Sequence, residues 1–212
     1  MKLFRIKVCG VTSAQDAALA ASLGADAVGI NFYKGSRRHV PVSEAAPIVA
    51  AVRGKAVPVA VFVNELPETI ESVCRLLKID MVQLSGHEPP AAARRLKFFR
   101  IKAVHLRDGS ELNLYGKYPC EAFLLDTSVP GEFGGTGKPF DWGKIEGMKP
   151  GKPWVLAGGL THENVAAGIK TLHPDGVDVA SGVEAAPGKK DQNMLRSFIN
   201  NAKEAFEYAR KH

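Results

Sequence analysis

Phe4-Arg-Ile-Lys-Val-Cys-Gly10, then Thr12-Ser13, Ala14–Leu23, Gly24 and Asp26-Ala-Val-Gly-Ile30 form the stretch whose reading decides the fold. The first run is apolar and ends abruptly in glycine and polar residues, as a buried strand does. Thr12-Ser13 offers side-chain oxygens to cap a helix, the alanine-rich segment propagates it, and Gly24 stands where a left-handed residue closes it. Asp26 to Ile30 is a second strand run. Strand, helix, strand in this order is the unit of an α/β fold.

The unit recurs along the chain. Strand-like runs stand near residues 3–9, 26–32, 57–63, 80–84, 98–104, 121–126, 153–157 and 175–180, nearly all followed by helix-period sequence. Eight alternations in 212 residues predict an α/β protein with one (β/α)8 barrel, residues 1–212 forming a single domain. Internal echoes agree: Asp26-Ala-Val-Gly-Ile30, Asp80-Met-Val-Gln-Leu84 and Asp175-Gly-Val-Asp-Val179 share one pattern. The final segment, Asp191–Arg210, spaces Met194, Leu195, Phe198, Ile199, Ala202, Ala205, Phe206 and Ala209 as one apolar stripe, which predicts an outer helix. No linker divides the chain. Its richest Pro/Gly stretch, Pro130 to Pro139, follows the sixth strand and reads as a mobile active-site loop.

Composition removes several classes of function. Hydrophobic residues make up 45% and charged residues 24%, an ordinary globular balance. Charges interrupt Met1-Lys-Leu-Phe-Arg-Ile-Lys7, which therefore lacks a signal peptide's apolar core, and no later run approaches a membrane span, so the expected location is cytoplasmic. The net charge of +6 comes from scattered Lys and Arg without an aromatic-interleaved patch; a small anionic substrate accounts for it better than nucleic acid. Cys9, Cys74 and Cys120 are odd in number and show no metal spacing, which predicts reduced thiols. The six histidines, His39, His87, His105, His162, His173 and His212, show none either, so no metal is expected.

The candidate chemistry sits at strand ends. Alternation along the first strand puts Arg5, Lys7 and Cys9 on the inner face and Ile6 and Val8 on the outer one. A lysine and a thiol inside a barrel are costly unless they serve the pocket, although a free cysteine also behaves as a small buried hydrophobe. As a base, Cys9 needs a neighbouring positive charge such as Lys7 to favour its thiolate. Asp126, behind Phe123-Leu-Leu125, suits a general acid or a loop-capping acceptor.

Leu156-Ala-Gly-Gly-Leu160 ends the seventh strand and Asp178-Val-Ala-Ser-Gly-Val-Glu184 the eighth. Gly158, Gly159, Ser181 and Gly182 thus fall where barrels of this architecture bind phosphate, with Ser181 opening a short extra helix, unless both are ordinary turns. Gly134-Gly-Thr-Gly-Lys138 is not a P-loop, because Glu132 takes the first glycine position and Pro139 the Ser/Thr position. Arg38 of Ser36-Arg-Arg38 offers a guanidinium to a carboxylate, or is solvated surface.

Together these motifs resemble the phosphoribosylanthranilate isomerases of tryptophan biosynthesis, essentially from end to end. The matching stretches are Lys7–Thr12, Gly24–Gly29, Phe32-Tyr33 with Ser36 and Arg38, Val61–Asn64, Val82–Leu84, Leu124–Thr127, Gly134–Lys138 with Phe140–Trp142, Ala157–Leu160, Val177–Glu184 and Pro187–Asp191. The resemblance implies an Amadori rearrangement of N-(5'-phosphoribosyl)anthranilate without metal or organic cofactor. It gives Asp126 as acid, Cys9 as base, and Arg38 as ligand of the anthranilate carboxylate; Asp178 matches an aspartate beside the site, and Lys7 lies in the matching first motif. A small phosphorylated substrate is the implied partner, and monomer or homodimer both fit.

The chain departs from the family pattern at Leu84-Ser-Gly86, where a histidine is usual and His87 comes two positions late. It departs also at Lys34-Gly35 and Asn31, changes that would loosen the loop after the second strand or tune substrate affinity. Two rivals remain: a Schiff-base aldolase using Lys102 or Lys7, and a non-catalytic phosphosugar-binding barrel.

Overall fold

The computed structural model describes residues 2–106, 109–126 and 142–211, with the Lys144 side chain left aside. Eight parallel strands close into a barrel in sequence order, β1 pairing with both β2 and β8. They are β1 (Ile6–Val8), β2 (Ala27–Asn31), β3 (Val57–Phe62), β4 (Met81–Leu84), β5 (Phe99–His105), β6 (Ala122–Asp126), β7 (Trp154–Ala157) and β8 (Gly176–Val179). Helices α1 (Ala14–Leu23), α2 (Val42–Val52), α3 (Pro67–Leu77), α4 (Pro90–Arg95), α5 (Leu112–Tyr115), α6 (Val165–Leu172) and α7 (Gln192–Lys211) follow every strand but β6 among the described residues. A hairpin, β9 (Glu184–Ala186) with β10 (Lys189–Lys190), follows the eighth strand. Between β6 and β7 the described residues contribute only a 3-10 turn, Trp142–Lys144.

Alternation along the strands sorts the core into two layers. Phe4, Ala27, Val59, Met81, Ile101, Ala103, Ala122, Leu124, Val155 and Ala157 fill the barrel. Their neighbours, such as Ile6, Val8, Val82, Leu84, Phe123 and Leu125, join the helix residues outside it. Alternation fails ahead of β1: Phe4 packs inside, whereas the Arg5 guanidinium lies outside, over the Phe206 ring of α7 (5.3 Å to the centroid). Arg5 is thus not an inner-face residue as its spacing suggested, because the regular strand starts only at Ile6.

The helix ends follow the local sequence. Ser13 caps α1 through Asp16 N–H, and Gly24 closes it at φ 98°, a conformation without penalty only for glycine. Asp191 is the cap of α7, accepting from the Asn193 and Met194 amides, so the helix begins one residue later than its polarity pattern suggested. Its buried stripe is Leu195, Phe198, Ile199, Ala202, Ala205 and Phe206; Met194 stands outside it, 39% exposed.

Candidate active site

The site gathers at the carboxyl ends of the strands. Lys7, Asp126 and Asp178 occupy the last two residues of β1, β6 and β8, and Cys9 follows β1 directly. Gly158 and Gly159 follow β7, Ser181 and Gly182 follow β8, and Arg38 enters from the loop after β2.

Register places Lys7 opposite Asp178, and the two join through a 2.9 Å ion pair with Lys7 fully enclosed. Gly29 on β2 has no side chain there; a Cβ would lie 2.7 Å from Cys9 Sγ and 3.1 Å from Lys7 Cε. The thiol and the lysine therefore fill the space that glycine leaves. Burial is the largest influence on both acids, raising the Cys9 thiol and the Asp178 carboxyl above their ordinary values. Burial also disfavours the Lys7 cation, but Asp178 and Cys9 outweigh it and keep it an ammonium.

One enclosed ammonium facing two acids can neutralise one of them. The carboxyl is intrinsically the stronger acid by several pKa units, so Asp178 takes the charge and Cys9 rests as a thiol. This differs from the sequence expectation that Lys7 favours the thiolate: Lys7 pulls in that direction, but burial and Asp178 prevail.

Asp126 stands on the rim with a quarter of its side chain exposed, 3.6 Å from His105 Nδ1. Its charge acts on Asp178, which also feels Lys7, while Cys9 feels Asp178. Asp178 is thus the electrostatic link between the thiol and the rim carboxyl.

The Arg38 stem crosses Gly10, whose place a Cβ could not share. Its guanidinium makes a forked pair with Glu184, Nε to Oε1 at 2.8 Å and Nη2 to Oε2 at 2.6 Å. A guanidinium carries five N–H donors, so the Nη1 edge stays available for a second planar anion. Asn31 does not loosen this loop. Its Oδ1 accepts from Tyr33 N–H (2.9 Å), and Ser36 Oγ accepts from Arg38 N–H (3.1 Å), so both side chains brace it.

The two glycine motifs meet. A Cβ on Gly182 would strike the Leu160 carbonyl, so only glycine lets the loops after β7 and β8 pack together. Gly158 and Gly159 both have positive φ, 85° and 64°, and Gly159 faces open space. Asn164 pins this turn, its Nδ2 donating to Gly159 O (3.0 Å) and its Oδ1 accepting from Thr161 N–H (2.8 Å). The expected extra helix is only the 3-10 turn Ser181–Val183. One turn sums few peptide dipoles, so anion binding here falls to individual N–H groups rather than to a macrodipole.

Three groups escaped the sequence reading. Glu184 and Lys190 are buried partners of Arg38 and of the Cys9 backbone, and Glu88 forms an enclosed 2.8 Å pair with Lys102. Lys102 also excludes itself as a Schiff-base nucleophile. It pairs in register with Leu84 and Phe123 of the outer layer, between Ile101 and Ala103 of the inner one, so it points away from the pocket. Lys7 faces inward, but as an ammonium bound to Asp178 it lacks the free lone pair an imine requires. Thr127 and the stretch Pro130–Pro139 lie outside the described residues. Among the described residues, no group of three His, Cys, Asp or Glu side chains is placed to hold a metal ion, and no helix is long and apolar enough to cross a membrane.

Residues 6–201 match the family model described as N-(5'phosphoribosyl)anthranilate (PRA) isomerase. The chain belongs to the N-(5'-phosphoribosyl)anthranilate isomerase family. The isomerase of Trichlorobacter lovleyi is 44% identical over 204 residues, covering 96% of this chain and all of that one. The crystal structure of phosphoribosyl anthranilate isomerase from Thermotoga maritima is similar at a TM-score of 0.89 and 40% identity, covering 95% of this chain and 100% of the other. A second isomerase structure, in complex with reduced 1-(o-carboxyphenylamino)-1-deoxyribulose 5-phosphate, is similar at 0.83 and 37% identity, covering 95% and 100%.

Against the isomerase pattern, the β4 departure is a local substitution. Ser85 Oγ accepts from Gln83 Nε2 (3.0 Å), and Gln83 Oε1 is buried without a partner among the described residues. His87 is exposed, its amide held by Asn64 Oδ1 at 2.6 Å, and Ser85 stands at the position after Leu84 where the family pattern has its histidine.

Proposed function

We propose that this chain catalyses the Amadori rearrangement of N-(5'-phosphoribosyl)anthranilate to 1-(2-carboxyphenylamino)-1-deoxyribulose 5-phosphate in tryptophan biosynthesis. Family membership supplies the reaction class. The observation that carries the assignment of roles is the cluster Cys9, Lys7 and Asp178 at one edge of the pocket, coupled through Asp178 to Asp126 on another.

The substrate's phosphate rests on N–H groups at Gly158, Gly159, Ser181 and Gly182, and its anthranilate carboxylate meets the free edge of Arg38. Asp126 protonates the ribose ring oxygen as the C1'–O bond breaks, and the anilino nitrogen's lone pair forms the C1'=N bond of a Schiff base. The Cys9 thiol first gives its proton to solvent; the thiolate then removes the C2' proton, and the C–H electron pair moves to give the enolamine. Loss of the 2'-hydroxyl proton and protonation at C1' give the ketone.

Lys7 and Asp178 lie beneath the sugar. The second carboxylate oxygen of Asp178 accepts from a sugar hydroxyl, and the Lys7 ammonium offsets the charge that appears when Cys9 ionises. The two exchanges assigned to protein groups, at the ring oxygen by Asp126 and at C2' by Cys9, are acid–base steps at different atoms of one substrate. The chain works as one domain, and its three free thiols suit a cytoplasmic, reducing compartment.

Turnover in deuterium oxide separates this reaction from its rivals. The isomerase places one solvent deuteron on C1' of a product of unchanged carbon skeleton. An aldolase instead yields two carbon fragments, and a binding protein returns unlabelled substrate. Either of those outcomes would overturn the assignment.

A further inference from the structure

Lys190 takes no part in the reaction described above, yet it is as enclosed as any charged group in the molecule: its side chain is 0% exposed. It lies at the end of β10, where the hairpin register sets it opposite Glu184. Its ammonium has three acceptors: Cys9 O at 2.7 Å, Ala180 O at 3.0 Å and Glu184 Oε1 at 2.9 Å. An ammonium carries three protons, so these bonds satisfy it fully and leave none for a substrate.

Each acceptor belongs to a different part of the pocket. Cys9 is the proposed base, Ala180 precedes the Ser181–Gly182 turn, and Glu184 holds Arg38 through its forked pair. The hairpin is itself fastened to the first helix, with the Lys190 amide donating to Asp16 Oδ2 at 3.0 Å and Thr12 Oγ1 donating to Gly188 O at 2.7 Å.

We propose that Lys190 is a positioning residue of the reaction, a buried ammonium that ties the Cys9 backbone, the phosphate turn and the carboxylate aiming Arg38 into one rigid body. The proposal rests on the isomerase reading above. Its physical basis is that base, phosphate anchor and carboxylate anchor must keep fixed separations for C2' to meet the thiolate. A displacement of about 1 Å is enough to cost about 10²-fold in rate. Lys190 also contributes positive charge beside the thiol. The charged groups facing Cys9 are Lys7 on its own strand, Asp178 on β8, Arg38 from the loop after β2 and Lys190 on β10.

The test compares Lys190→Met with wild type in two assays, steady-state turnover and the pH profile of Cys9 alkylation by iodoacetamide, with the modified peptide identified by mass. Loss of the tie is expected to lower kcat about 10²-fold. Loss of the charge is expected to move Cys9 alkylation to higher pH. Wild-type kcat with a wild-type alkylation profile, accompanied only by a lower Tm, would make Lys190 a structural bond and overturn the proposal.

Should Lys190→Met not fold, Lys190→Arg decides. It retains the charge but cannot set three bonds at one point, so a wild-type-like alkylation profile with depressed kcat supports the tie, and full kcat refutes it. Absence of turnover in the wild type itself would instead overturn the isomerase reading, and the alkylation profile would still report on Lys190.

Discussion

At the scale of single residues, the decisive contrast is among three thiols in one chain. Burial pushes Cys74 up to about 12 and Cys120 to about 11, and both lie in the layer between barrel and helices. Cys9 is also raised by burial, but Lys7 and Lys190 act in the opposite direction, and it alone of the three is not fully buried. Cys9→Ala and Asp126→Asn are each expected to lower kcat by about 10³-fold or more, within the range of lost acid–base catalysis. Cys74→Ala and Cys120→Ala are expected to leave kcat near wild type and lower Tm only.

The raised Cys9 value fixes the sign of one pH dependence. The resting form is the thiol, so alkylation of Cys9 quickens as pH rises toward that value, and a flat profile from pH 6 upward would contradict a half-buried, protonated base. The strand-end positions of the candidate residues Cys9, Asp126, Gly158 and Ser181 were legible because each closes an apolar run. Glu184 and Lys190 were not: nothing in the order Pro187-Gly-Lys-Lys-Asp191 tells which lysine a hairpin will bury.

At the scale of elements, carboxylates just before three of the even barrel strands, β2, β6 and β8, secure the preceding odd ones. Asp26 accepts from the Arg5 and Ile6 amides, Glu121 from the Arg100 amide and Asp175 from the Trp154 amide. This explains two of the acidic echoes read from sequence as stitching at the face opposite the site.

The loop after β4 is held differently, by Glu88. It accepts from the Asn64 and Gly86 amides and pairs with Lys102, which also donates to Leu84 O and Gly86 O. Glu88→Gln leaves an enclosed ammonium without its counter-charge and is expected to cost about 3–5 kcal/mol of unfolding free energy by urea titration. Lys102 and the Lys7–Cys9 edge lie on different strands, so kcat of the surviving folded enzyme should change little.

Glu88 and Glu184 are held below the ordinary glutamate value of 4.5 by Lys102, and by Arg38 and Lys190, against the opposing effect of burial. A depressed carboxyl contributes stability above the unfolded value and loses it as pH falls through the folded one. Acid unfolding is therefore expected to set in below about pH 4.5, and Glu88→Gln should flatten it. That network was illegible in sequence because Glu88, Lys102 and Asn64 come from three separate stretches.

At the scale of the whole molecule, closure of the barrel brings residues from opposite ends of the chain into one pocket. β1 and β8 pair directly, so Lys7 meets Asp178 and the hairpin reaches back to Cys9. The number of strands and their order were readable from periodicity, since every apolar run near the expected positions became a strand. The failures were local: at Arg5, where the regular strand starts later than its pattern, and at Met194, which lies within α7 but off its buried stripe.

Contact between the β7 and β8 loops tests closure at the site. Gly182→Ala must push Leu160 away, and it is expected to lower kcat/KM about 10²-fold, mostly through KM. Gly116→Ala, facing open space at φ −53°, is the silent control.

The most direct measurement follows the loss of anthranilate fluorescence when freshly generated phosphoribosylanthranilate is mixed with wild type, Asp126→Asn and Cys9→Ala at equal folded concentration. Rapid decay with wild type and near-background decay with both variants is the expected result. Decay at the wild-type rate in either variant, or none in the wild type, would contradict the acid–base pair at the centre of the site.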